Sequence, residues 1–151
     1  MRALADILVQ SPDHTIALVA EVKTKMAPSV EWASQMRRNL YAHLSLPPSR
    51  FFLLALPERF FLWKDASPLA VVPPDYQVDA REVLGRYAEQ LRVPLSTLSE
   101  ASFELLVRSW LEDLISANLN RGEIAESLPW VVESGLYDAI KHGSLKLQAS
   151  A

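Results

Sequence analysis

Residues 3–25, ALADILVQSPDHTIALVAEVKTK, decide how the chain reads. Ala3 to Gln10 has the character of a strand, Ser11-Pro12-Asp13-His14 supplies turn residues, and Ile16 to Val22 forms a second apolar run. This is a hairpin signal. Ile7, Leu8 and Val9 are consecutive, as are Ala17, Leu18, Val19 and Ala20, so the strands alternate too little to have one wet face. Layers must cover both sides of the sheet they build.

Beyond Lys25 the apolar period changes. Pro28-Ser29 can start a helix in which Trp32, Met36, Leu40 and Leu44 recur at spacings of four. That helix must stop before Pro47-Pro48. Two strand-like runs follow, Phe51 to Leu56 and Arg59 to Trp63, separated by Pro57-Glu58. Strand, strand, helix, strand, strand is the order of an α/β or α+β sheet with a helix on at least one face.

Residues 66–78, with three prolines, read as an extended crossing segment. From 79 to 151 the pattern is helical. Asp79 and Glu82 form a capping-box-like pair opening a helix with Val83, Tyr87 and Leu91, which Pro94 closes. Glu100 to Ala117 places Phe103, Leu106, Trp110 and Leu114 on one stripe, widened by Val107 and Leu111. Pro129 and Ser134-Gly135 punctuate a further short helix that ends near Gly143, and an alternating SLKLQAS tail follows.

At 151 residues, half hydrophobic and 22% charged, the chain is too short for a two-domain enzyme of the dehydrogenase type. The longest apolar run is far below the roughly twenty residues of a membrane helix. Asp6 interrupts the first apolar stretch, which argues against a signal peptide. With no cysteine, thiolate metal sites, disulfides and cysteine nucleophiles are excluded, and a cytoplasmic location is expected. Residues 1–65 carry eight Lys/Arg against six Asp/Glu, and residues 66–151 carry seven against twelve. Any contact with nucleic acid must therefore be local and made by the N-terminal half.

The chemistry sits at the end of the second strand. Glu21 and Lys23 flank Val22, so both side chains leave the same face, and Asp6 can pair across the hairpin to bring a second carboxylate beside Glu21. Two adjacent carboxylates repel unless a cation lies between them. A hard cation such as Mg²⁺ takes one or two carboxylates plus waters and phosphate oxygens. A nearby ammonium can orient water and stabilise charge on a phosphate. These parts suit metal-assisted phosphodiester hydrolysis.

ALADILV, a turn, IALVAEVKTK and a helix containing Gln35 together resemble the PD-(D/E)xK restriction-endonuclease-like superfamily over about Ala3 to Asp65. RFFLLAL and RFFLWKD resemble strands of predicted nuclease domains related to the N-terminal part of type I restriction subunits. The resemblance implies a restriction-endonuclease-like mixed sheet flanked by helices over residues 1–65; the helical extension over 79–151, read from its own apolar pattern, lies outside the resemblance. It implies catalytic roles for Asp6, Glu21, Lys23 and Gln35. The implied ligands of Mg²⁺ or Mn²⁺ are Asp6, Glu21 and the backbone carbonyl of Val22, and the implied substrate is DNA. The superfamily usually places a helix, often with an acidic residue, before the first strand. Here either the chain start is shortened or another segment fills that place.

Blander readings stand beside these. Glu21 and Lys23 alone could be a surface pair contributing about 0 to 1 kcal/mol. Gln35 divides evenly between a site role and a solvent-facing helix position. Arg37-Arg38 reads as a solvated helix face. The four tryptophans read as core or interface residues, and only Trp63, beside Lys64, approaches a base-stacking platform. The histidines have no ligand spacing. An alternative to the nuclease is a catalytically inactive nuclease-like module for protein interaction. The breadth of the 100–117 helix calls for burial either on the chain's own sheet or against a second copy, and a homodimer is the expected partner state.

Overall fold

The computed structural model describes residues 5–26, 29–89, 91–116 and 118–147. Strands β1 (Ile7–Gln10), β2 (Ile16–Val22), β3 (Phe51–Ala55), β4 (Arg59–Lys64), β5 (Tyr76–Asp79) and β6 (Ser144–Leu147) form one mixed sheet in the order β5-β4-β3-β2-β1-β6. β2 and β3 run parallel with Leu18 opposite Phe51, because helix α1 (Val30–His43) carries the chain back between them. Every other pairing is antiparallel. The protein is thus an α/β protein with a six-stranded mixed sheet and a C-terminal helical segment. The predicted hairpin is present, with β1 beginning at Ile7; Ala3 lies outside the described residues.

The consecutive apolar runs are explained by two separate cores. Phe51, Leu53 and Ala55 face one side with Leu18, Ala20 and Val22, while Phe52 and Leu54 face the other. The first side is covered by helices α2 (Ala80–Ala88), α3 (Glu100–Ile115), α4 (Arg121–Ser127), α5 (Pro129–Glu133) and α6 (Leu136–Ile140). On the second side lies α1. Ser29 caps α1 by accepting from the Trp32 N–H at 3.1 Å, and Ser99 does the same for α3 from Ser102 at 3.1 Å. The wide apolar surface of α3 is buried within one chain: Phe103, Val107, Leu111 and Leu114 are fully enclosed.

Several local readings are corrected by the packing. The buried line of α1 is Ala33, Ser34, Arg37 and Leu40, so Trp32 and Met36 sit at its margin. Arg37 is not a solvated residue: 2% exposed, it donates from Nη1 to the Ser67 and Ala70 carbonyls at 3.1 and 3.2 Å, and from Nη2 to Ala66 at 3.1 Å. Its guanidinium lies over the rings of Tyr41, Phe52 and Trp63, at 5.1 to 5.7 Å from their centroids. Trp63 Nε1 donates to Val72 O at 2.8 Å. The proline-containing segment is therefore pinned to the sheet, and its last residues become β5, paired with β4.

Further differences lie in the C-terminal half. Asp79 caps α2 by accepting from Arg81 N–H at 2.8 Å rather than through Glu82, and α2 ends before Leu91, which is 42% exposed. The short helix expected before Gly143 is three, broken at Leu128, just before Pro129, and at Gly135, whose φ is 90°, where Pro129 and Ser134-Gly135 punctuate the sequence. Ser144–Leu147 of the alternating tail then join the sheet as β6 against β1; the rest of the tail lies outside the described residues.

Gly143 makes that junction fit. A Cβ at this position would lie 2.1 Å from the backbone oxygen of Gln10 in β1. Gly143→Ala is expected to push β6 off β1 and to destabilise the fold by about 1–3 kcal/mol. A urea titration checks this, and an unchanged midpoint would contradict the close approach.

Candidate functional site

Asp6 and Glu21 meet just beyond the last ladder pair of the hairpin, Ile7 opposite Ala20. Each closes a backbone donor on the other strand. The Asp6 N–H donates to Glu21 Oε2 at 2.6 Å, and the Val22 N–H donates to Asp6 Oδ2 at 2.9 Å. Residues opposite each other in a parallel ladder share a face, so Glu21, opposite Leu54, points to the α1 side. It is 1% exposed.

Burial, then the neighbouring Asp6 charge, pushes the Glu21 carboxyl up to about 7, with the Asp6 N–H and Lys23 only partly opposing. The Asp6 carboxyl is raised as well, chiefly by burial, although Val22 N–H and Lys23 favour its charged form. Lys23 follows the end of β2, where its N–H continues the parallel ladder to Ala55 O at 3.1 Å. It is half-buried and acts on both carboxylates through charge, without a direct ion pair.

α3 adds what the sequence reading missed. Its first two turns bring Glu100 and Glu104 toward the hairpin end, and Glu104 is raised by burial and by the charge of Asp6. The available signal was a pair of glutamates one turn apart, a like-charge spacing that disfavours a helix unless something else holds it.

Gln35 is not brought to this point. It is exposed on α1 and lines a groove with Val30, Ser34, Val71 and Pro73, without a hydrogen bond to Asp6, Glu21 or Lys23. Val22 ends β2 with its side chain in the core on the α3 side. Among the described residues no group of three or more His, Asp or Glu side chains is placed to hold a metal ion. The donor set is therefore two carboxylates. That number fits a hard divalent cation which keeps most of its waters, and the Asp6 charge, which after burial raises the Glu21 carboxyl, is a repulsion such a cation would relieve.

No protein-family model, curated protein or solved structure matches this chain. Among the described residues no helix is long and apolar enough to cross a membrane.

Proposed function

We propose that this protein is a metal-dependent DNA endonuclease with a restriction-endonuclease-like core in residues 1–65, over which residues 66–78 and 79–151 pack. The observation that carries the reading is the contact between Asp6 and Glu21 at the hairpin end, with Lys23 two residues further along. Asp6 and Glu21 would hold Mg²⁺ or Mn²⁺, with the Val22 carbonyl as the further ligand the resemblance implies. Such an ion, when bound, lowers the pKa of a water and neutralises charge at the phosphate. Lys23 orients the attacking water and stabilises the charge gathering on the phosphoryl oxygens. Lys25 and Arg38, both exposed in the more basic N-terminal half, are available to the DNA backbone. The exposed position of Gln35 lends its assigned role no support. The absence of cysteine agrees with a cytoplasmic setting.

The test is cleavage of single-stranded, duplex and branched DNA with Mg²⁺, Mn²⁺ or EDTA, beside Glu21→Ala. Cleavage is expected only with metal and only with Glu21 intact. Activity that survives both EDTA and the substitution would exclude this mechanism.

One observation favours the second reading, a catalytically inactive interaction module. Both carboxylates already hold backbone N–H groups, and Glu100 and Glu104 add negative charge that a phosphate would meet. On that reading calorimetric titration with Mn²⁺ shows no binding, and light scattering across a concentration series shows a stable oligomer such as a homodimer. Because α3 is covered by its own sheet, self-association would draw on other surfaces.

A further inference from the structure

The sheet ends at β6, whose far edge pairs with no other strand among the described residues. Backbone direction alternates along each strand, and two hydrogen bonds fix that alternation here. The Lys23 N–H donates toward β3, to Ala55 O, so Val22, Ala20 and Leu18 turn their backbone groups toward β1, as the Val22 N–H does in donating to Asp6. Carried through the pairs Ile7–Ala20 and Leu8–Lys146, the alternation turns Ser144 and Lys146 toward β1 and leaves the N–H and C=O groups of Leu145 and Leu147 pointing outward. An open edge of this kind invites another strand. Both leucine side chains lie on the α3 side, opposite Val9 and Ile7, where Leu145 packs on the core and Leu147 is 45% exposed. Beside them runs a groove between β6 and α3, lined by Arg108 and Glu112, which stand one turn apart and pair at 3.6 Å.

We propose that a second copy of the chain docks on this edge, β6 against β6 in antiparallel order about a two-fold axis at Leu145. The side chains choose the register. Centred on Lys146, the ladder would set two ammonium groups directly opposite each other, which is unfavourable. Centred on Leu145, it sets Leu145 against the partner's Leu145, and Lys146 against the partner's Ser144. The two Leu145 residues then exchange N–H···O bonds, and each Leu147 N–H reaches the partner's Gly143 carbonyl. The axis also brings the two α3 helices side by side and antiparallel, so that Arg108 faces the partner's Glu112 and Glu112 faces the partner's Arg108. That reciprocity is what a two-fold interface requires, and it commits the edge to a second copy rather than to an unrelated strand. By itself dimerisation favours neither functional reading; Mn²⁺ binding separates them.

Light scattering and amide hydrogen exchange on the full chain, across a concentration series, test the pairing. The mass should double with rising concentration while the Leu145 and Leu147 amides gain about tenfold protection. Leu147→Pro removes an outward N–H, which an edge strand tolerates, and should weaken dimerisation at least about tenfold. Arg108→Glu should weaken it as well, and Arg108→Glu with Glu112→Arg, which restores opposite charges across the axis, should recover it. A monomeric mass up to about 1 mM, a dimer whose Leu145 and Leu147 amides stay unprotected, undiminished dimerisation of Leu147→Pro, or a charge swap that recovers nothing would overturn the proposal. So would a chain that stays monomeric while an added unrelated strand-forming peptide protects those two amides, because the edge would then belong to a foreign partner.

Discussion

Trp110→Ala is expected to remove about 3–5 kcal/mol of folding stability. The ring is 1% exposed and sits at the crossing of α3 with the sheet and α5, its centroid 5.8 Å from Phe60 in β4 and 6.0 Å from Trp130. Truncation leaves two aromatic rings without their neighbour and opens space beside a cavity that Trp110 already lines. Because its Nε1–H has no acceptor among the described residues, no hydrogen bond to them is lost, and the effect is packing. Leu105 lies on the same helix and is 48% exposed. Leu105→Ala should therefore stay within about 0.5 kcal/mol. Urea unfolding of the two variants gives the contrast directly, and equal small losses would mean that α3 is not what closes this face of the sheet.

What was legible in the sequence was what neighbours in sequence decide. Ile16 to Val22 was readable as a strand to the residue, because the turn residues before it and the charged residues after it bound an apolar run. The approach of Asp6 to Glu21 was readable for the same reason, since hairpin register fixes which residues face each other. Contacts across long stretches of chain were not. Nothing near Arg37 in sequence announces that its guanidinium satisfies carbonyls about thirty residues away, so a charged helix residue reads as solvated. β5 was hidden by Pro73-Pro74, which suggest an extended linker until β4 offers the chain an unpaired edge. Glu104 was hidden because an acidic residue beside an apolar stripe is the ordinary boundary of an amphipathic helix. Only the docking of α3 against the hairpin turns it toward Asp6.

Glu21→Gln should change how stability depends on pH more than any other single substitution at this end of the hairpin. The folded protein raises this carboxyl from its ordinary 4.5 to about 7, so between those values the folded state binds more protons than the unfolded one. Stability is then greatest below the unfolded value, falls as pH rises toward 7, and is flat above it; the loss is about 3 kcal/mol. Asp6 and Glu104, also raised, act in the same sense, whereas Asp13 and Asp79, held low by their hydrogen bonds, act in the opposite one. The difference between wild type and variant isolates Glu21. The glutamine carbonyl can still accept from Asp6 N–H, so the variant should be the more stable at pH 8 by up to about 3 kcal/mol, with the gap closing toward pH 4. Mg²⁺ or Mn²⁺ should narrow that gap from the other side. A cation bound by Asp6 and Glu21 at about a hundred times its Kd stabilises the wild type by about 2.7 kcal/mol, and the variant, with one carboxylate fewer, gains much less. Parallel pH profiles would show that Glu21 is not a strained buried acid. A wild type that loses stability with pH yet ignores both metals would leave the carboxylates as a clasp between β1 and β2, which is the structural role their hydrogen bonds already perform.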